Sequence, residues 1–344
     1  MEMKIEKNHE TPIQKYRFYI QLFFVFLTIW IGYEFHGFVK WLESGGAAEF
    51  AARPPGVEAF LPISSLMSLM LFLKTGEIHS VHPAGLFIFV AIIAVSLIFG
   101  KSFCSWICPI GFISEMIGDF GEKIQIKLFK RKLNKLPKFL DYPLRSLKYL
   151  LLFFFASAVF TMSAAGLKSF LDAPYNVLSD VKMYYFFADL TLFSFYVLLG
   201  LFVLSIVIRN FWCRYLCPYG ALVGIFTLLS PLKIKRNSAS CTDCGLCSKA
   251  CPSHIKVDKV KTVISDECTT CLQCVDACPV ADTLELKPVF SKKKIDKRLV
   301  GILILVIYFS ILGVGFFSGH WQNDVPKKEY LELYPKMNSI DHLN

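Results

Sequence analysis

Charge is scarce in this chain. Only 19% of its 344 residues are charged and 54% are hydrophobic, which excludes an ordinary soluble protein and puts most of the chain in a membrane. Stray cysteine is absent too. All twelve cysteines fall in four short motifs, leaving none for a structural disulfide, and thiolates kept for a metal have to stay reduced, as on a cytosolic face. No c-type haem motif accompanies the seven histidines. No nucleophile paired with a base marks a substrate pocket, so an electron-transfer component of an oxidoreductase system is expected rather than a self-contained enzyme. The net charge of +10 does not indicate nucleic acid, because the basic residues sit in loops beside apolar spans, where membrane topology accounts for them.

What is present is a doubled cysteine motif. C-x2-C-x2-C-x3-C-P occurs at Cys241, Cys244, Cys247 and Cys251 before Pro252, and again at Cys268, Cys271, Cys274 and Cys278 before Pro279. Three closely spaced thiolates on a turning loop supply three ligands of a 4Fe-4S cluster, and the fourth comes from elsewhere. In the bacterial two-cluster pattern the repeats exchange that ligand. Cys241, Cys244, Cys247 and Cys278 then hold one cluster, and Cys268, Cys271, Cys274 and Cys251 the other. A zinc ribbon also uses paired C-x2-C, but it has no use for the third cysteine, the x3 spacing or the proline.

The apolar runs set the topology. Residues 18–33, 78–100, 149–167, 190–208 and 299–319 read as five spans. The run at 59–73 is only fifteen residues long and contains Pro62, so it reads as a re-entrant or interfacial segment. The first run could also pass for a signal peptide, but it is longer than a signal core. The loop Lys101–Lys148 holds ten basic residues against four acidic ones. The positive-inside rule places that loop, the N-terminus and the segment 209–298 in the cytoplasm, which puts 29 of the 37 Lys and Arg inside. Five spans satisfy this arrangement and six do not. The expected fold is a mainly α-helical polytopic membrane protein, with about five spanning helices, one short re-entrant segment and a small α+β dicluster ferredoxin domain. The domains run 1–236 (membrane, two halves), 237–290 (ferredoxin) and 291–344 (last helix and outer tail).

The two halves repeat a motif. FCSWICPIG at 103–111 and FWCRYLCPYG at 211–220 each follow an outside-to-inside span. On helical backbone, C-x3-C puts two sulfurs on one face about one turn apart. Cys104, Cys108, Cys213 and Cys217 together are enough for a third metal cluster. A redox-active dithiol pair, transient copper binding and inert buried thiols stay open. The aromatic residues around them, Phe103, Trp106, Phe211, Trp212 and Tyr215, read as an interfacial belt.

At these motifs the chain resembles the NapH/NosR/CcoG-type membrane polyferredoxins. The resemblance rests on FCSWICP, WCRYLCP and both ferredoxin motifs, and covers residues 80–285. It implies a bacterial cytoplasmic-membrane protein, with its ferredoxin domain on the cytoplasmic side, that carries electrons between the quinone pool and a respiratory or redox partner. A maturation reductase acting on copper or thiols and a structural anchor for a reductase complex are the alternatives. The chain departs from the family in its extra span and in the tail from His320 to Asn344. It also lacks a large flavin-bearing outer domain, so no covalent flavin is expected.

Four histidines, His36, His79, His82 and His320, fall at outer ends of spans. They read as interfacial residues, with a quinone or haem site, walled by 59–73, as the alternative. Asp172 and Asp180 read as solvated. Arg145 and Lys148 read as positive charge beside the clusters, favouring their reduced state and attracting anionic lipid, or equally as a positive-inside anchor.

Overall fold

The computed structural model describes residues 6–130, 136–291 and 293–340. Lys4, the basic run at 131–135, Lys292 and the last four residues of the tail lie outside the described residues. The chain is mainly helical. Its first helix, α1 (Gln14–Glu43), is apolar and free of proline. It stops where Gly45 and Gly46 take φ values of 63° and 85° and their N–H groups turn back to the carbonyls of Leu42 and Trp41. Helix α2 (Pro62–Thr75) opens with a proline in its first turn and closes on left-handed Gly76. Its 14 residues reach only about 21 Å, less than the bilayer's hydrocarbon. There follow α3 (Pro83–Phe99), α4 (Ser102–Trp106), α5 (Pro109–Phe129), α6 (Lys138–Thr161), α7 (Ala164–Asp172), α8 (Ser179–Ala188), α9 (Leu192–Val207), α10 (Pro218–Leu229) and α11 (Lys297–Phe317).

Three helices are long and apolar enough to cross a membrane: α1, the stretch Phe139–Thr161 of α6, and α11. Two of the five expected spans form shorter helices, α3 with 17 residues and α9 with 16, and α9 is bent by 79° from α8. The third expected span, 149–167, is displaced. Its helix begins at Lys138 and ends at Thr161, where Ser163 caps α7 by accepting the N–H of Gly166. Phe23, Phe26, Phe153, Phe154, Phe193 and Val306 are exposed on these helices, as side chains facing lipid are.

The described chain forms two compact units. One comprises 1–25, 92–152 and 200–307, the other 26–91, 153–199 and 308–344. Helices α1, α3, α6, α9 and α11 contribute residues to both, whereas α2 belongs wholly to the second. In the second unit, Met67 and Leu71 of α2 pack with Leu167 and Leu171 of α7. A second core gathers Phe38, Trp41 and Leu42 with Val181 and Tyr330.

Beside that core lies a buried charge cluster. Arg53 donates to Glu58 at 2.7 Å and to Asp180, and its Nη2 stands 3.0 Å from His82 Nδ1. Both carboxylates and the histidine ring are at most 1% exposed. Asp180 is therefore not solvated, contrary to the expectation; Asp172 is half exposed but meets His79 at 2.9 Å. The four outer histidines do not share one site. His36 pairs with Tyr184, His79 with Asp172, His82 with Arg53 and the carbonyl of Asn176, and His320 with Ser318.

The first unit contains the one sheet among the described residues. Strands β1 (Leu232–Arg236) and β2 (Leu284–Pro288) pair antiparallel, with Ile234 opposite Leu286, and alternate residues Leu232, Ile234, Leu284 and Leu286 are buried. The N-terminal segment straps this domain. Asn8 N–H donates to Pro279 O, Ala281 N–H to Glu6 O, and the Ile13 N–H and Gln14 amide both reach Asp276.

Candidate cluster-binding sites

Each ferredoxin motif turns on left-handed residues around its second cysteine. Asp243 and Gly245 flank Cys244 with φ of 50° and 69°; Thr270 and Leu272 flank Cys271 with 49° and 61°. Left-handed backbone costs a leucine energy that it does not cost a glycine, so Leu272, 1% exposed, is held there by its packing. Short helices then carry the third cysteines, Cys247 in Leu246–Ala250 and Cys274 in Gln273–Asp276.

The result is two cysteine-lined cavities. One is lined by Cys241, Cys244, Cys247 and Cys278, together with Arg236, Asp258 and Val280. The other is lined by Cys251, Cys268, Cys271 and Cys274, together with Ile234, Val257, Val263 and Leu272. In each, three sulfurs come from one motif and the fourth from the other. The two differ in exposure: Cys244 is exposed, while Cys271 and Cys274 are 8% and 9% exposed. Burial pushes the Cys251 thiol up to about 12 and the Cys268 thiol up to about 11. Bare thiols in such a place resist ionising, and bound iron supplies the positive charge that makes a thiolate stable there.

The membrane-edge pairs are built differently from the expectation. Cys104 lies in α4, but Cys108 is past its end and caps α5, with Pro109 in the first turn. Cys217 likewise caps α10, ahead of Pro218. Both links close with an i→i+5 bond, Cys108 N–H to Phe103 O and Cys217 N–H to Trp212 O. The second cysteine of each pair thus stands at a helix N-terminus. Gly220 N–H donates to Cys217 Sγ at 3.3 Å.

The two pairs converge. Burial raises the Cys104 thiol, and Cys108 and Cys217 add to the effect. Burial pushes Cys108 up to about 12, with Cys213 and Cys217 adding, and Cys213 up to about 12, with Cys217 and Cys104 adding. Among the described residues, no three His, Cys, Asp or Glu side chains are grouped to grip a metal ion.

A buried ionic frame surrounds the pairs. Lys148 is fully buried on Glu267, and Lys101 Nζ lies 4.0 Å from the same carboxylate. Burial works against the Lys101 ammonium, but Glu267 and the sulfurs of Cys104, Cys213 and Cys217 outweigh it and hold it above its ordinary value. Arg145 donates to Asp266 at 2.9 Å. Neither Arg145 nor Lys148 is a lipid-facing anchor, because acidic residues of the ferredoxin motif occupy both. Trp106 and Tyr215 are no interfacial belt either, being 0% and 1% exposed; Trp106 donates to Thr270 O and Tyr215 to Asp141.

Lys101, Glu267 and Asp141 carried no signal in the sequence. Gly111 and Gly220 did, standing three residues after the second cysteine in both repeats. A Cβ at Gly111 would lie 2.0 Å from Cys104 O, and one at Gly220 3.1 Å from Cys213 O.

Comparison with known proteins matches a 4Fe-4S binding domain to residues 81–135 and 190–237, and a 4Fe-4S dicluster domain to 233–279. YccM of Escherichia coli (strain K12), named for electron transport, is 45% identical over 330 residues, covering 94% of this chain and 90% of its own. The methylamine utilization ferredoxin-type protein MauN of Methylobacillus flagellatus is 26% identical, over 58% of this chain and 62% of its own. The regulatory protein NosR of Stutzerimonas stutzeri is 27% identical, over 51% of this chain and 23% of its own. No solved structure matches.

Proposed function

The chain belongs to the family of 4Fe-4S membrane polyferredoxins, proteins of iron–sulfur electron transfer, and on that premise we propose that it relays single electrons along the cytoplasmic face of a bacterial membrane, between the quinone pool and a redox protein. The observation that carries the proposal is the gathering of all twelve cysteines into three sites within one unit. Cys241, Cys244, Cys247 and Cys278 hold one 4Fe-4S cluster, Cys268, Cys271, Cys274 and Cys251 a second, and Cys104, Cys108, Cys213 and Cys217 a third. Such clusters, when bound, take up and give back one electron at a time.

The protein's own residues do the rest. The apolar wall of Ile234, Val257, Val263 and Leu272 keeps water from the second site. Lys101 sets a positive charge beside the membrane-edge thiolates, which favours the reduced, more negative state. Trp106 ties that site to the ferredoxin loop at Thr270 O, and Tyr215 ties it to Asp141 of α6.

The N-terminal strap on the ferredoxin domain supports a topology in which both lie on one side of the membrane, with an even number of crossings between them. Helices α1, α3, α6 and α9 supply four, α2 supplies none, and α11 makes the fifth after residues 237–290. The basic loops set that side as the cytoplasm.

The test is anaerobic purification in detergent, with iron and acid-labile sulfide quantified and EPR recorded at poised potentials. About twelve irons per chain are expected, four for each cluster. About eight would remove the third site, and turnover that depends on copper would replace the relay with a maturation reductase.

A further inference from the structure

We infer that the site formed by Cys104, Cys108, Cys213 and Cys217, with its cluster bound, exchanges electrons with only one ferredoxin site, the one lined by Cys251, Cys268, Cys271 and Cys274. This inference rests on the function proposed above. That site then stands in the middle of the relay, and the site of Cys241, Cys244, Cys247 and Cys278 is its outer terminus.

The two repeat halves touch the ferredoxin domain at matching positions. The residue after the first cysteine of each pair reaches the backbone next to a cysteine of the same ferredoxin site. Ser105 Oγ donates to Thr269 O at 2.6 Å, one residue after Cys268, and Arg214 Nη1 donates to Ser253 O at 3.3 Å, two residues after Cys251. Trp106 Nε1 adds a third tether to Thr270 O at 3.2 Å, immediately before Cys271. All three tethers hold the middle site, and none of these bonds reaches the loop of Cys241 to Cys247.

A shared cavity makes the same connection. Cys104, Cys213 and Cys271 line one opening together, and Pro252, Ser253 and Thr269 form part of its wall and of the wall of the middle site. The outer site shares no lining residue with that opening. It joins the middle site through the short helices instead, since Cys247 and Cys251 lie four residues apart, as do Cys274 and Cys278, about one helical turn each. Cys244 is exposed, so the outer site can meet a soluble one-electron carrier that the buried middle site cannot. Each step moves one electron and makes or breaks no bond: the site that gives it is oxidised by one and its neighbour reduced by one.

Single substitutions in the full-length protein, fully reduced in detergent, read the order through spin–spin splitting of EPR signals, which acts only between near neighbours. Cys244→Ser should lose about four irons and leave two signals still split by each other. Cys108→Ser should lose about as many and leave the ferredoxin pair split. Cys251→Ser should leave two narrow, unsplit signals. Narrow signals in Cys244→Ser, or split ones in Cys251→Ser, would overturn the order, and the first outcome decides even if Cys251→Ser fails to fold. Unchanged iron and spectra in Cys108→Ser would instead sink the third cluster itself, a failure distinct from a wrong order.

Discussion

At Gly111 the backbone of one repeat half leaves no room for a methyl group, because a Cβ would press on Cys104 O at 2.0 Å. Gly111→Ala should therefore displace Cys104 and cost the membrane-edge site its iron, a loss of about four per chain. Gly220→Ala, with 3.1 Å to Cys213 O, should cost less, and Gly200→Ala, with nothing within 4 Å, should cost none. Iron analysis of the three variants checks the ranking; equal iron in all three would show that the close approach does not matter. Arg53 is the other residue whose removal should be felt. It is the cation holding Glu58 and Asp180, both 0% exposed, so Arg53→Met leaves two buried carboxylates without their partner. Breaking a buried pair from one side costs about 3–5 kcal/mol. A lowered unfolding midpoint with the iron content retained is the expected result.

Helix α2 is the test of the proposed topology at the level of elements. Its 14 residues reach less than the bilayer's hydrocarbon, and Met67 and Leu71 of its buried face pack with α7. Reporter fusions after Gly45 and after Gly76 should both read outside, and a fusion after the exposed Phe290 should read inside. An inside reading after Gly76 would make α2 a span and break the parity that the N-terminal strap supports. The cysteine pairs also depend on element ends. A regular helix through C-x3-C would keep both sulfurs on one helix face, but proline after the second cysteine starts a new helix there and turns that cysteine into its cap.

Across the whole molecule, the metal sites lie in one unit and the Arg53 cluster in the other. Stripping iron anaerobically should therefore loosen residues 232–290, where metal binding and folding are coupled, and leave the second unit protected. Limited proteolysis should show faster cleavage at Lys249, Lys256, Lys259 and Lys261, which are all exposed. Equal cleavage in both units would contradict that division. The sequence alone determined the cysteine motifs, their exchanged reading, the apolar runs and the charge asymmetry, because each is carried by local spacing or composition. It could not determine partners distant in the chain. Glu267 receives Lys148 from 119 residues away, Asp180 receives Arg53 from 127, and Trp106 reaches Thr270 across 164. Asp180 and Trp106 looked like a solvated acid and a belt residue, and Lys148 read equally as an anchor or as charge beside the clusters, since surface and interior polar groups read alike until their partners are known. Only the tertiary structure supplied those partners, because burying such groups is favourable only when folding brings a matching charge or carbonyl to meet them.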